Sequence, residues 1–246
     1  MLQNERRQII AIGGSGVLTD AETLTLERYV LGQARSANPA VCFIPTANGD
    51  SDTSLVRFYT IFTQLPCRPS HLLFFRRTPR DLRSYLLSQD VIYVGGGNTR
   101  SMLAVWREWG LPGLLREAWD SGIVLAGRSA GAICWFAQGV TDSVADQLLP
   151  LDCLGFLSGS CCPHYDGEVE RRPSYHRLLL DRSINPGIAI DDGVGVHFRG
   201  NEPYRVVTPR EKATAYQVGV VDGAVQEGPI PIEVNRLASP LHQQKS

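Results

Sequence analysis

Ser129 stands in Gly127-Arg128-Ser129-Ala130-Gly131, directly after the apolar run Ile123–Ala126 and directly before a helix-like stretch. A serine between two such glycines at that junction is the pattern of a nucleophile elbow, a strained strand-to-helix turn that lifts the hydroxyl clear of the fold. Bulk two positions to either side would block the turn. The same arrangement aims backbone N–H groups at the oxyanion that forms when a carbonyl is attacked. The pentapeptide also occurs in ordinary loops, where its serine would only cap a buried helix. Here the flanking strand and helix favour nucleophilic hydrolysis.

A second glycine run, Gly95-Gly96-Gly97-Asn98, follows the strand-like Val91–Val94 and could bring bare N–H groups opposite Ser129. A plain tight turn is the alternative. Neither this run nor Gly13-Gly14-Ser15-Gly16 completes G-x-G-x-x-G, and no Lys-Ser/Thr pair forms a phosphate loop, so nucleotide binding is disfavoured.

A serine nucleophile needs a base, usually histidine. The chain has five. His242 falls in a polar tail, His71 at a strand start, His176 inside a helix and His197 inside a strand. His164, in Cys161-Cys162-Pro163-His164-Tyr165-Asp166, lies in a loop of small and turn-forming residues and is the candidate base. A carboxylate must then fix the imidazole tautomer. Asp192, closing the apolar strand Gly187–Ile190, ranks slightly ahead of Asp142 and Asp146; Asp166 is too near His164 in the chain to orient it easily. No H-E-x-x-H or C-x-x-C is present, and adjacent Cys161 and Cys162 are poorly spaced for a shared ion, so neither metal nor organic cofactor is expected.

The elements that must position these groups alternate as strand and helix through the first half. Strands are expected at Gln8–Ile12, Ala40–Ile44, Ser70–Phe75, Val91–Val94 and Ile123–Ala126. Helices are expected near Ala21–Arg35, Ser51–Leu65, Pro79–Leu87, Thr99–Glu108 and Pro112–Asp120. Such alternation implies a doubly wound α/β fold, a mostly parallel sheet with helices on both faces. Ligand sites of these sheets lie outside the carboxyl ends of the strands, where Pro45–Asp50, Gly95–Asn98 and Gly127–Gly131 would gather. Thr141–Cys162 reads as loop-rich, Glu168–Asp181 as a helix, and Gly187–Ile190, Val194–Phe198, Tyr204–Val207 and Ala213–Val220 as strands.

With 246 residues and a net charge of −1, the chain fits a single domain, 1–246, with 237–246 as a frayed tail. No basic stripe suggests nucleic acid, and no run approaches the ~20 apolar residues of a membrane span. Met1–Arg7 does not open a secretory signal, and the six cysteines are scattered, so a reduced, cytoplasmic protein is expected.

With these residues placed, the chain resembles the peptidase E and cyanophycinase family of serine peptidases. The matching pieces are Ile12–Gly16, Phe43–Ala47, Val94–Thr99, Gly127–Ala132, Pro163–Tyr165 and Gly187–Gly193, in the family's order and over nearly the whole chain. The resemblance implies a class I glutamine-amidotransferase-like (flavodoxin-like) fold with serine in place of cysteine. It implies Ser129 as nucleophile, His164 as base, and Asp192 where the family usually has glutamate, with Asp142 as the rival acid. The amides of Ala130 and of Gly96 or Gly97 would form the oxyanion hole. The peptidase E branch cleaves dipeptides with an N-terminal aspartate and holds that side chain with an arginine. Arg172 or Arg171 stands at a similar place, unless the two are merely solvated at a helix start; Asn98 joins them as an expected substrate contact. Arg128, before the nucleophile, departs from the pattern and could reshape the pocket. A short peptide is the implied partner, with a homodimer left open. An esterase of the α/β-hydrolase type and a catalytically silent binding protein are the competing readings.

Overall fold

The structure, a computed structural model, describes residues 6–16 and 18–238. Strands β1 (Gln8–Ile12), β2 (Ala40–Ile44), β3 (Arg68–His71), β4 (Val91–Val94) and β5 (Val124–Arg128) pair in parallel in the order β1-β5-β4-β2-β3. Between them run helices α1 (Asp20–Leu31), α2 (Asp52–Phe62), α3 (Leu82–Leu87), α4 (Thr99–Glu108) and α5 (Leu111–Asp120). β1 shows how the sequence divides the two faces, since successive side chains point to opposite sides of a sheet. Ile10 and Ile12 pack with Leu26 and Val30 of α1 and Phe58 and Phe62 of α2. Ile9 and Ala11 pack on the other side with Trp106 and Trp119 of α4 and α5. Burial on both faces explains why β1, β2, β4 and β5 read as apolar runs; the edge strand β3 is only partly buried and overlaps the expected strand Ser70–Phe75 only at Ser70 and His71.

Local signals set the helix ends. Thr19 and Glu22 form a reciprocal capping box at the start of α1, worth about 1 kcal/mol. Pro79 does not open the next turn as expected; Asp81 caps α3 instead, accepting the Ser84 amide at 2.9 Å.

The second half adds more sheet than the sequence suggested. Thr141–Cys162 is not loop-rich: most of it forms strands β6 (Phe136–Val144), β7 (Gln147–Asp152) and β8 (Leu157–Cys162). With β9 (Gly187–Ile190), β12 (Ala215–Val221) and β13 (Ala224–Pro229) they make a second sheet in the order β13-β12-β9-β8-β6-β7. Within it β6, β8 and β9 run parallel. β10 (Gly195–Arg199), β11 (Glu202–Thr208) and β14 (Val234–Arg236) extend the first sheet, with β10 antiparallel to β1. The sheets share one core, in which Trp135, Cys161 and Ile190 join the residues under α4 and α5. Helix α6 (Ala130–Ile133) links them; α7 (Arg171–Leu180) covers the far face of the second sheet through Tyr175, Leu178 and Leu179. The Leu237 amide donates to Thr208 O at 2.9 Å, so the expected tail is anchored at its start. Its remainder, 239–246, lies outside the described residues. No helix among the described residues is long and apolar enough to cross a membrane.

Candidate active site

The chain reverses sharply between β5 and α6. Ser129 takes φ 55° and ψ −116°, in a region that costs a non-glycine residue about 1–3 kcal/mol. The flanking glycines make the turn sterically possible: a Cβ on Gly127 would come within 2.8 Å of the Val94 carbonyl oxygen, and one on Gly131 would overlap that same carbonyl. Further support comes from β1, where Ile12 O accepts the Ser129 amide at 3.0 Å.

β8 and β9 are parallel neighbours, so their carboxyl ends lie side by side. His164 sits two residues beyond β8 and Asp192 two residues beyond β9. His164 Nε2 lies 2.9 Å from Ser129 Oγ, and His164 Nδ1 lies 2.7 Å from Asp192 Oδ1. Asp192 is almost fully buried. The chain from β1 passes close by, and Gly14 forms a bridge with Asp192. A side chain on Gly14 would collide with both the His164 ring and the Asp192 carboxylate. His164 itself has φ 55°. Next to Asp192, burial pushes the Asp191 carboxyl up to about 6, and its Oδ2 accepts the Thr214 amide at 3.0 Å.

Other expected groups fall elsewhere. Asp142 does not reach His164; its exposed carboxylate pairs with Arg171 at 3.2 Å. Arg171 is buried, donates to Val140 O at 3.1 Å and pairs with Glu168 at 2.6 Å. Arg172 pairs with Glu227 at 3.4 Å and lies over the ring of Tyr165. Neither arginine lines the cavity beside Ser129. Asn98 is also occupied: its Oδ1 caps α4 by accepting the Ser101 amide, and its Nδ2 donates to Ser143 O. Of the two glycines expected opposite the nucleophile, Gly96 lies against Ser129, whereas Gly97, at φ 136°, packs on the Ala47 carbonyl.

The cavity at Ser129 and His164 encloses about 300 Å³. Phe43, Phe58, Ile61 and Phe62 form its apolar wall, and Arg57 and Arg128 bring positive charge. No Asp or Glu lines it among the described residues. Arg57 carries no motif in the sequence; its signal is that Ser54, Arg57, Phe58 and Ile61 fall at i, i+3, i+4 and i+7 on one helical face. Arg128 donates from Nε to the Tyr93 hydroxyl at 2.9 Å and from Nη2 to Glu27, a fully buried carboxylate of α1. Burial lowers the Arg128 guanidinium to about 10, which leaves it charged at neutral pH. No group of three or more His, Cys, Asp or Glu among the described residues could hold a metal ion.

The comparisons with known proteins agree with this architecture. Residues 9–205 match Peptidase family S51. The chain is 49% identical over 227 residues to the uncharacterized peptidase YgaJ of Bacillus subtilis strain 168, covering 92% of this chain and 98% of that protein. It is similar in fold to a crystal structure of a peptidase from an acI-B1 Actinobacterium, with a TM-score of 0.70 and 19% identity over 92% of this chain and 95% of that one. A putative peptidase E protein from Listeria monocytogenes EGD-e gives a TM-score of 0.62 and 20% identity, over 84% of this chain and 99% of that one. The chain is a serine peptidase belonging to Peptidase family S51, the peptidase E family.

Proposed function

We propose that this enzyme hydrolyses short peptides, foremost dipeptides with an N-terminal aspartate, through Ser129, His164 and Asp192. The observation that carries the reading is the unbroken hydrogen-bonded chain from Ser129 Oγ through both ring nitrogens of His164 to Asp192, at the mouth of a cavity. His164 Nε2 accepts the hydroxyl proton as Ser129 Oγ bonds to the scissile carbonyl carbon. Asp192 keeps Nδ1 protonated and stabilises the imidazolium that results. The carbonyl oxygen becomes an oxyanion facing the amides of Gly96 and Ala130. Collapse breaks the C–N bond, and the imidazolium returns its proton to the leaving amine. Water then attacks the acyl-enzyme with His164 again as base, releasing the acid and restoring Ser129.

A cavity of this size holds about one substrate residue, and its cationic lining, with no carboxylate among the described residues, suits an acidic one. The test is a panel of Asp-X dipeptides, N-terminal amino-acid anilides and short acyl esters assayed with the wild-type enzyme. Asp-X dipeptides are expected to be hydrolysed fastest. Turnover of esters with no peptide hydrolysed would instead favour an esterase.

A further inference from the structure

Arg128 stands immediately before the nucleophile, yet none of the steps above uses it. Its guanidinium is held on two sides, by Tyr93 at Nε and by Glu27 at Nη2, and Tyr93 in turn donates to Glu27 Oε1 at 2.9 Å. Nη1 has no protein partner among the described residues and is not sealed off from solvent, while Arg128 lines the cavity beside Ser129. The planar fork is therefore fixed with one donor edge left over. Arg57 lines the same cavity from α2, is in no ion pair among the described residues, and its charge reaches the Tyr93 hydroxyl. The apolar wall of Phe43, Phe58, Ile61 and Phe62 lowers the dielectric on one side of the site, which strengthens a charge pairing made against it.

From this placement we infer that Arg128 Nη1 and Arg57 form a carboxylate-binding subsite next to Ser129, and that this pair, not Arg171 or Arg172, selects acidic substrates. The inference rests on the peptidase reading for its meaning but not for its test. Two carboxylates of a dipeptide could occupy the subsite: the side chain of the residue whose carbonyl is attacked, or the free C-terminus. Glu27 and Tyr93 act as positioning residues through the guanidinium they hold; Glu27 lies behind it, outside the cavity lining. The buried pair also makes the subsite specific for a planar cation, because a lysine could not donate to Tyr93, Glu27 and a ligand with the same fork geometry.

The experiment is calorimetric binding of Asp-Leu, Asn-Leu and Asp-Leu amide to the Ser129→Ala protein, where no turnover intervenes. Asp-Leu is expected to bind about tenfold or more tightly than at least one of the two neutralised ligands, as a charge-assisted hydrogen bond allows. A deficit for Asn-Leu assigns the subsite to the side chain, and one for Asp-Leu amide assigns it to the C-terminus. Adding Arg57→Gln, or adding Glu27→Gln with Arg128→Gln, should shrink that ratio several-fold. The first variant changes an exposed residue and so keeps the test open if the second fails to fold. No discrimination by the parent protein, no binding of Asp-Leu at all, or a ratio unmoved in the folded variants would overturn the subsite. Hydrolysis by enzyme with Ser129 intact is scored separately, so failure of the peptidase reading is not confused with failure of the subsite.

Discussion

The Asp166 carboxylate accepts the backbone N–H of Asp192 at 2.8 Å, so the turn that carries His164 is tied directly to the turn that carries Asp192. Arg210 closes the link, donating from Nη1 to Asp166 Oδ2 at 2.7 Å and to the Asp192 carbonyl at 2.5 Å. The residue too close in sequence to orient His164 thus fixes the loop of the residue that does contact it. Asp166→Ala is expected to lower kcat about 10- to 100-fold, as small displacements of reacting groups do, with a smaller change in KM. Asp166→Asn keeps the acceptor for the Asp192 amide and should retain most of the rate. Steady-state kinetics of both variants checks this; equal losses would mean that the tie to Asp192 is not what matters.

The two carboxylates that competed as the orienting acid should separate cleanly. Asp192→Asn is expected to cut kcat by about four orders of magnitude, the scale of an imidazole held in the wrong tautomer. Asp142→Asn removes an exposed partner of Arg171 and should change kcat by less than about threefold. Rates measured side by side on one dipeptide decide it, and the reverse order would move the acid to the loop after the elbow.

Gly96 tests the oxyanion side. A Cβ there would stand 3.2 Å from Ser129 Cβ and 3.7 Å from Oγ, while its backbone is not in the left-handed region. Gly96→Ala should therefore leave the thermal midpoint nearly unchanged and lower kcat by about 10- to 100-fold. Circular-dichroism melts paired with kinetics would expose the opposite pattern, a destabilised but active enzyme.

His197 gives a prediction for acid stability that is independent of catalysis. It is fully buried, bonds to Tyr29 at 2.8 Å and Gln8 at 3.0 Å, and burial pushes its pKa down to about 3. The unfolded chain binds a proton there below about pH 6.5 and the native fold does not. Its stabilising contribution is complete above that value and is lost as pH falls toward 3, at up to about 1.4 kcal/mol per pH unit. Urea titrations between pH 7 and 4 should show a flatter decline for His197→Gln than for wild type. Parallel curves would contradict the assignment.

In the parallel half of the first sheet β1, β2, β4 and β5 are legible because they are buried on both faces and run into turns, as at Val91–Gly97, whereas the partly exposed edge strand β3 carries no apolar run. β6 to β8 were hidden because Asp, Ser, Gly and Pro interrupt their runs; Pro150 sits in the edge strand β7. The pairing of Ser129 with His164 is legible from local chemistry, one residue singled out by its glycine frame and the other by elimination, and the two side chains do meet. What other side chains do across the fold is not. Asn98 reads like a substrate contact and is a helix cap. Arg171 reads as a substrate clamp or a solvated charge and is instead buried against Glu168 and Val140. Arg128 meets a glutamate 101 residues away, a pairing that no spacing rule encodes.

The role proposed for Ser129 as nucleophile is tested most directly by kcat/KM for an Asp-X dipeptide with Ser129→Ala against wild type. Folding of the variant is confirmed by an unchanged melt. A loss of at least about 10⁴-fold is expected, the scale seen when a triad serine is removed. Hydrolysis persisting within about tenfold of wild type would contradict it.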